Sequence, residues 1–338
     1  MVLGVKVGET IRGLMNYTRL GTTGVKVSRL GLGCGNFGGV GSAPAFFGMG
    51  ETEAAAAALL DRAWDAGINL LDTADAYGGG RSEQFIGSWL KTKGSAVRDQ
   101  LVLSSKVFNP IGPGPNQRGL SRVHVLRQID ASLTRLGTDR IELYLIHEPD
   151  PETPLEETLG ALDDARRAGK ICYVGASNIE AWRLAVARGL SDLHRLARFE
   201  WVQNSYSLLD RSAEREMLPM CADQRVGFTA FSPLAGGWLT GKYRAKQPYP
   251  DGSRMTLRPE PYLHLDSERV YRGLDLLAEA AQARGVTIDA LALAWVLHRA
   301  EVNVAIIGPR NPAQLASALA ATDVVLSASD AAALAAPF

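Results

Sequence analysis

The chain has 338 residues, and its 36 Lys and Arg balance its 36 Asp and Glu. A zero formal charge lacks the basic surplus that phosphate neutralisation needs, which argues against a nucleic-acid binder. The 46% hydrophobic and 21% charged residues are the mix of a packed globular protein, and the three cysteines (Cys34, Cys172 and Cys221) have no CxxC spacing, so they read as reduced thiols with neither disulfide framework nor metal site.

The first twenty residues carry Lys6, Glu9, Arg12 and Arg19 and hold no signal-peptide core. No run approaches the ~18 consecutive apolar residues of a membrane helix, so a cytoplasmic protein with no membrane partner is expected. Patterned sequence begins at Tyr17; residues 1–16 are expected to be a flexible extension, with Met15 an alternative start. Tyr17 to Arg29 predicts a hairpin turning at Thr23-Gly24, able to cover one end of a barrel.

Ser28–Leu32 opens a series of short apolar runs. It continues at Ile68–Asp72, Leu101–Val107, Ile141–His147, Ile171–Ser177, Phe199–Asn204, Val226–Ser232 and Val304–Gly308. Near-continuous apolar runs suit parallel strands buried on both faces. Between them, apolar residues at three- and four-residue spacing predict helices over Thr52–Ala66, Ser82–Leu90, Ser121–Leu136, Pro154–Ala168, Ala213–Gln224, Ser267–Arg284, Ile288–Arg299 and Ala313–Ala320. Gly67, Gly137, Gly169, Gly189 and Gly285 read as helix stops, and Pro312 as a helix start. Eight strand–helix units with no linker between halves predict a single α/β domain over 1–338, a (β/α)8 TIM barrel with an N-terminal hairpin and extra C-terminal helices. An open doubly wound sheet is the competing architecture.

Gly33-Cys34-Gly35-Asn36-Phe37-Gly38 satisfies the dinucleotide-binding G-x-G-x-x-G spacing. That motif needs a helix to open at once, with an acidic residue about 20 positions on. Here Gly39–Gly50, with four glycines and Pro44, cannot be helix, and Glu51 or Thr52 is the first plausible start. What remains is a glycine-rich loop at a strand's C-terminal end, the active-site face of a barrel.

Position then singles out four polar residues. Asp72, Lys106 and His147 fall at or near the ends of the second, third and fourth barrel strands, and Tyr77 lies five residues beyond Asp72. Singly, each has an ordinary reading: a helix cap, a solvated cation, a packed ring, a histidine satisfied by a carbonyl. Together they form a proton-transfer group. An unperturbed phenol, with a pKa of about 10, is a poor acid or base at neutrality. An adjacent ammonium favours the phenolate, a carboxylate holds the ammonium, and a neutral imidazole shares a developing oxyanion. None of the four can donate a hydride, so the chemistry requires a nicotinamide.

From about Tyr17 to Ala320 the sequence resembles the aldo-keto reductase superfamily. The stretches that carry the resemblance are Gly67–Gly87 (GINLLDTADAYGGGRSEQFIG), Leu103–Val107, Leu143–Asp150 (LYLIHEPD), Gly175–Asn178, Gln203–Arg211, Phe231–Tyr243 (FSPLAGGWLTGKY) and Ile306–Leu315 (IIGPRNPAQL), in family order. The resemblance implies a catalytic tetrad of Asp72, Tyr77, Lys106 and His147, with Tyr77 as general acid/base. It implies that Ser177, Asn178 and Gln203 bind the nicotinamide carboxamide and that Phe231 stacks on the ring. Backbone from Ser232 through Pro233 and Leu234 to Gly236 is implied to cradle the pyrophosphate. Lys242 and Arg254 are implied to reach the phosphates and adenosine, with Gly308, Arg310 and Gln314 at the 2′-phosphate side.

An arginine fork suits a phosphate, which favours NADP(H), with NAD(H) possible. Ser317 and Ala318 stand where family members often carry Glu-Asn. Asn36, Phe37, Phe46, Phe47 and Trp238 either line an apolar vestibule or pack the loops.

The expectation is therefore an NADP(H)-dependent reductase of a small ketone or aldehyde, or a dehydrogenase of the matching alcohol. A nucleotide-sensing subunit like the potassium-channel β subunits is the alternative from another class; lack of a long N-terminal extension counts against it. NAD-linked oxidation of an aldose is a third reading.

Overall fold

Runs of apolar residues without polar alternation must be covered on both faces, and a closed parallel barrel inside a ring of helices supplies that cover. The protein is described here from a computed structural model covering residues 15–338. A hairpin of β1 (Tyr17–Arg19) and β2 (Lys26–Ser28) precedes β3 (Leu30–Gly33), β4 (Leu70–Asp72), β5 (Val102–Val107) and β6 (Ile141–Ile146). These are followed by β7 (Ile171–Ser177), β8 (Phe199–Ser205), β9 (Gly227–Phe231) and β10 (Val304–Ile307). Strands β3 to β10 pair in parallel in chain order, and β10 closes on β3, which excludes the open sheet.

Every barrel strand lies within two residues of its sequence-derived run at each end. Helix starts obey capping chemistry: the side chains of Thr52, Ser121, Ser267, Thr287 and Asn311 each accept a hydrogen bond from the backbone N–H three residues on. Two expectations fail locally. Gly189 is not a stop but an exposed position inside the helix Ala181–His194, which ends instead on Arg195 in the left-handed region, at φ 54°. The helix expected over 213–224 is broken into a short 3-10 turn (Ser212–Glu214) and a helix at Met217–Gln224. Pro219 explains the break, because its ring would clash with the carbonyl four residues earlier if the helix ran through.

The barrel interior and its helical coat form separate apolar clusters. Inside lie Leu70, Val102, Leu143, Leu145, Trp201, Val304 and Ile306, joined by Leu20 and Val27 of the hairpin. Leu20 is fully buried, and Gly21 beside it abuts the backbone of Glu200, Arg225 and Gly227, where β8 and β9 begin. The hairpin thus plugs the N-terminal end and leaves the C-terminal end free for loops. Met15 is buried, and the carbonyl of Asn16 accepts from Arg29 N–H, so the last two residues of the expected extension pack on the domain. Residues 1–14 lie outside the described residues.

The helix Ile288–His298 is buried on nearly all sides, and an outer helix, Glu268–Ala283, and a terminal helix, Ala328–Ala335, flank it; Trp295 Nε1 donates to Ala331 O at 2.9 Å. Among the described residues no single helix is long and apolar enough to cross a membrane.

Because Leu20 fills the end of the barrel away from the strand C-termini, Leu20→Ala is expected to lower stability by about 2–5 kcal/mol. Chemical denaturation checks this, and catalytic turnover at low denaturant should stay unchanged.

Candidate active site

Parallel strands of a barrel all end at the same rim, so polar residues at strand ends converge whatever their separation in sequence. Asp72 is the last residue of β4, Lys106 the next to last of β5, and His147 follows β6 directly. Tyr77 begins the turn after β4. Gly78 makes that turn possible: its φ is +59°, and a Cβ there would lie 2.6 Å from the Phe37 carbonyl oxygen.

The structure brings the four together. Lys106 Nζ is fully buried and donates to Asp72 Oδ2 at 2.6 Å, to Thr73 O at 2.9 Å and to Tyr77 Oη at 3.4 Å. Tyr77 Oη also lies 3.4 Å from His147 Nε2, with the two rings edge to face. Asp72 Oδ1 accepts from Ser104 Oγ and Gln203 Nε2, both at 2.9 Å. A buried carboxylate is tolerable only when its lone pairs are met in this way.

The electrostatics follow from these distances. Burial works against the Lys106 ammonium, but Asp72 and then Tyr77 overcome it and hold its pKa above the ordinary value. Burial pushes the Tyr77 phenol up, and Lys106 offsets only part of that rise. The expected net lowering of Tyr77 is therefore not found. The ammonium sits 0.8 Å closer to Asp72 than to the phenol (2.6 against 3.4 Å), so the carboxylate absorbs much of its field. Burial and the Lys106 charge hold His147 well below the usual imidazole value, which keeps it neutral. Cys34 is buried nearby, and its thiol is pushed well up by burial and Asp72, so it is no nucleophile.

The remaining expected residues line the adjoining rim. Ser177 Oγ donates to Gln203 O at 2.8 Å, and Asn178, at φ 51°, donates from Nδ2 to His147 O at 3.0 Å. Gln203, expected at the nicotinamide carboxamide, also bonds Asp72 through its Nε2, which adds it to the hydrogen-bonded group around Lys106.

Past half-buried Phe231, the backbone runs through Ser232 (φ 51°), Pro233, Leu234, Ala235 (φ 48°) and Gly236 (φ 64°). Three of these five residues are left-handed, a conformation that can align N–H groups for an anion, although Pro233 has no N–H and that of Ala235 is bonded to Ser232 O at 2.8 Å. A Cβ on Gly236 would strike the Tyr262 ring at 2.6 Å.

Lys242, Arg254 and Arg310 crowd together. Desolvation and then the charges of Arg254 and Arg310 lower the Lys242 pKa. Arg310 donates to Glu51 Oε1 at 2.6 Å and to Gly252 O at 2.9 Å, and Arg254 reaches Asn36 Oδ1 at 3.3 Å. Gly308 is exposed, while Gln314 Oε1 accepts from Arg310 N–H at 2.8 Å and shapes the loop. Ser317 is paired with Thr287 at 2.8 Å, and Ala318 is buried. Phe37 and Trp238 are buried, the latter among Tyr243, Tyr249 and Tyr271, and so pack the loops rather than line a vestibule.

Sequence reasoning missed Ser104, Asn109 and Glu51. Ser104 had a signal, since period two puts it on the face of β5 that carries Lys106. Asn109, whose Nδ2 is 3.0 Å from His147 Nδ1, sits in a loop with no periodicity. Glu51 meets Arg310 across 259 positions, a contact with no local trace.

The model of the Aldo/keto reductase family matches residues 29–336. The chain belongs to the aldo/keto reductase family. Its relatives include the uncharacterized oxidoreductase YrpG of Bacillus subtilis, 38% identical and covering 92% of each chain. Versiconal hemiacetal acetate reductase of Aspergillus parasiticus is 33% identical over 93% of this chain and 94% of its own. A probable voltage-gated potassium channel subunit beta of Arabidopsis thaliana is 35% identical over 92% of each. Members of the family use NAD(P)H and act on small-molecule carbonyls, and this aldo-keto reductase is an oxidoreductase.

Removing one partner of a buried ion pair strands the other charge. Lys106→Met is expected to destabilise this aldo-keto reductase by about 3–5 kcal/mol, and the Asp72→Asn/Lys106→Met double variant to recover most of that loss. Urea denaturation of the parent, the two single variants Lys106→Met and Asp72→Asn, and the double variant checks it.

Proposed function

We propose that this aldo-keto reductase reduces a ketone or aldehyde, or oxidises the matching alcohol, using NADP(H), with Tyr77 as general acid/base. The observation that carries the reading is the position of Tyr77 Oη, 3.4 Å from both Lys106 Nζ and His147 Nε2 at the barrel rim. The nicotinamide, when bound, supplies or accepts the hydride.

The residues present suit that cofactor chemically. The left-handed turn at Ala235 and Gly236, beside a cluster of three cations, suits a pyrophosphate held by the Leu234 and Gly236 N–H groups. Among the described residues neither Lys242 nor Arg254 is ion-paired to a carboxylate, so phosphate oxygens would relieve their repulsion. In this reading Ser177, Asn178 and Gln203 hold the carboxamide and Phe231 flanks the ring. Arg310, with Gly308 and Gln314 around it, takes the 2′-phosphate.

The proton steps belong to this chain. A phenol held above its ordinary pKa is protonated at neutral pH and is therefore poised as an acid. It hands its proton to the carbonyl oxygen as negative charge develops there, while neutral His147 shares that charge. The phenolate left behind is stabilised by Lys106, which Asp72 keeps charged and in place. In reverse, the phenolate takes the alcohol proton.

Tyr77→Phe is expected to retain NADPH binding and to lower turnover on aldehydes and ketones by about 10²-fold or more, the scale of lost acid–base catalysis. Parent turnover in reduction should be flat across neutral pH and fall as pH rises through the raised phenol pKa; oxidation should rise with pH over the same range. Steady-state rates across a substrate panel test this, and uniformly negligible rates with intact nucleotide binding would favour a nucleotide-sensing subunit. Arg310→Ala should weaken NADPH far more than NADH in a fluorescence titration, and equal losses would remove the 2′-phosphate assignment.

A further inference from the structure

A neutral imidazole has one N–H, and which nitrogen carries it decides whether His147 offers the mouth of the barrel a donor or an acceptor. The two ring nitrogens of His147 face different surroundings. Nε2 points at Tyr77 Oη, 3.4 Å away, where a carbonyl oxygen would sit in the reading given above. Nδ1 points away from Tyr77 and meets the side-chain amide of Asn109, Nδ2 to Nδ1, at 3.0 Å. An amide NH2 can only donate, so the Nδ1 it touches must be the bare, accepting nitrogen, and the proton stands on Nε2.

We infer that Asn109 is a positioning residue of the active site, fixing His147 in the Nε2–H tautomer so that its single proton is aimed at the substrate oxygen. This rests on the reading of the rim as a carbonyl-reducing site.

The surroundings make such a device useful. His147 is anchored by its own backbone, with its N–H on Val107 O at 2.9 Å and its carbonyl receiving Asn178 Nδ2 at 3.0 Å. Those bonds hold the His147 backbone, and neither selects which ring nitrogen is protonated. The charged and titratable side chains facing the ring are Tyr77 and Lys106; burial and the Lys106 ammonium together keep the imidazole neutral. With the imidazolium suppressed, the donor at Nε2 exists only if the tautomer is chosen, and Asn109 is the group on Nδ1 that chooses it. Asn109 lies two residues beyond β5, and Pro110 after it restricts its backbone to extended conformations, a constraint that helps keep the amide in one place. In the opposite tautomer Nε2 would accept the Tyr77 proton and compete with the substrate for it.

The decisive experiment is 15N NMR of His147 in the nucleotide-bound enzyme, combined with rate–pH profiles of Asn109 variants. In the parent, Nδ1 should show the shift of a bare ring nitrogen and Nε2 that of a protonated one throughout the neutral range; the reverse pattern overturns the inference whatever the rates. Asn109→Asp replaces the donor by a carboxylate that accepts from Nδ1–H and favours the imidazolium. The signals should then exchange character, and kcat for reduction near pH 8 should fall by about 10²-fold, the scale of a lost oxyanion donor. It should recover as pH falls and the imidazolium restores a proton to Nε2, whereas the parent profile is flat.

NADPH affinity and circular dichroism should match the parent; should the Asp variant not fold, Asn109→Leu serves in its place, with mixed tautomers expected and a smaller loss in kcat. A variant that keeps the parent tautomer and the flat profile overturns the role of Asn109. Full activity of Tyr77→Phe would overturn the carbonyl-reduction reading instead, while leaving the tautomer measurement to stand alone.

Discussion

A primary ammonium with no exposed surface, held 2.6 Å from a carboxylate, is the constraint around which the rest of this site is arranged. Neither charge is tolerable alone in such a place, so each obliges the chain to supply partners. Asp72 takes Ser104 and Gln203 in addition to Lys106, and Lys106 takes the Thr73 carbonyl and Tyr77. These bonds join β4, β5 and β8, which makes the ion pair a brace across the rim as well as a source of field. Its cost is returned as order: the phenol is placed by a pair that cannot move without exposing a charge to an apolar core.

The same geometry shows why proximity to an ammonium does not by itself make an acidic phenol. The field of Lys106 is largely spent on Asp72, and burial dominates what remains at Tyr77. The outcome is a phenol that stays protonated at neutral pH; in the proposed reduction Lys106 would act on the phenolate as it formed. His147 obeys the same balance with the opposite charge type: burial and the ammonium both disfavour its cation, so its imidazole is neutral. Burial thereby sets the protonation of both neighbours, with the cation opposing it at Tyr77 and reinforcing it at His147.

At the other side of the rim, positive charge is only partly compensated. Lys242, Arg254 and Arg310 repel one another, and the carboxylate paired with Arg310 is Glu51, at the entry of the first barrel helix. Arg310 also binds the Gly252 carbonyl, and Arg254 reaches Asn36, so loops of the rim are fastened to one another. The plugged N-terminal end and the anion-ready C-terminal end divide the barrel between stability and chemistry, as its parallel strands require.

The strands, most helices and the four rim residues were legible in the chain because each depends on local pattern. Apolar runs report burial on both faces, capping residues report helix starts, and position at a strand end reports the rim. Where the pattern misled, a local competitor was at work: Pro219 broke a helix, and Gly189 sat inside one. The directions of the pKa shifts, the turn of Gln203 toward Asp72, the burial of Phe37 and Trp238 and the contact of Asn109 with His147 were not legible. They depend on ångström differences between groups tens or hundreds of residues apart. By itself the sequence determined a barrel with a carboxylate, an imidazole, an ammonium and a phenol on one rim. Which of those groups holds its proton was decided only in three dimensions, because electrostatic balance depends on distance and burial, and neither is written along the chain.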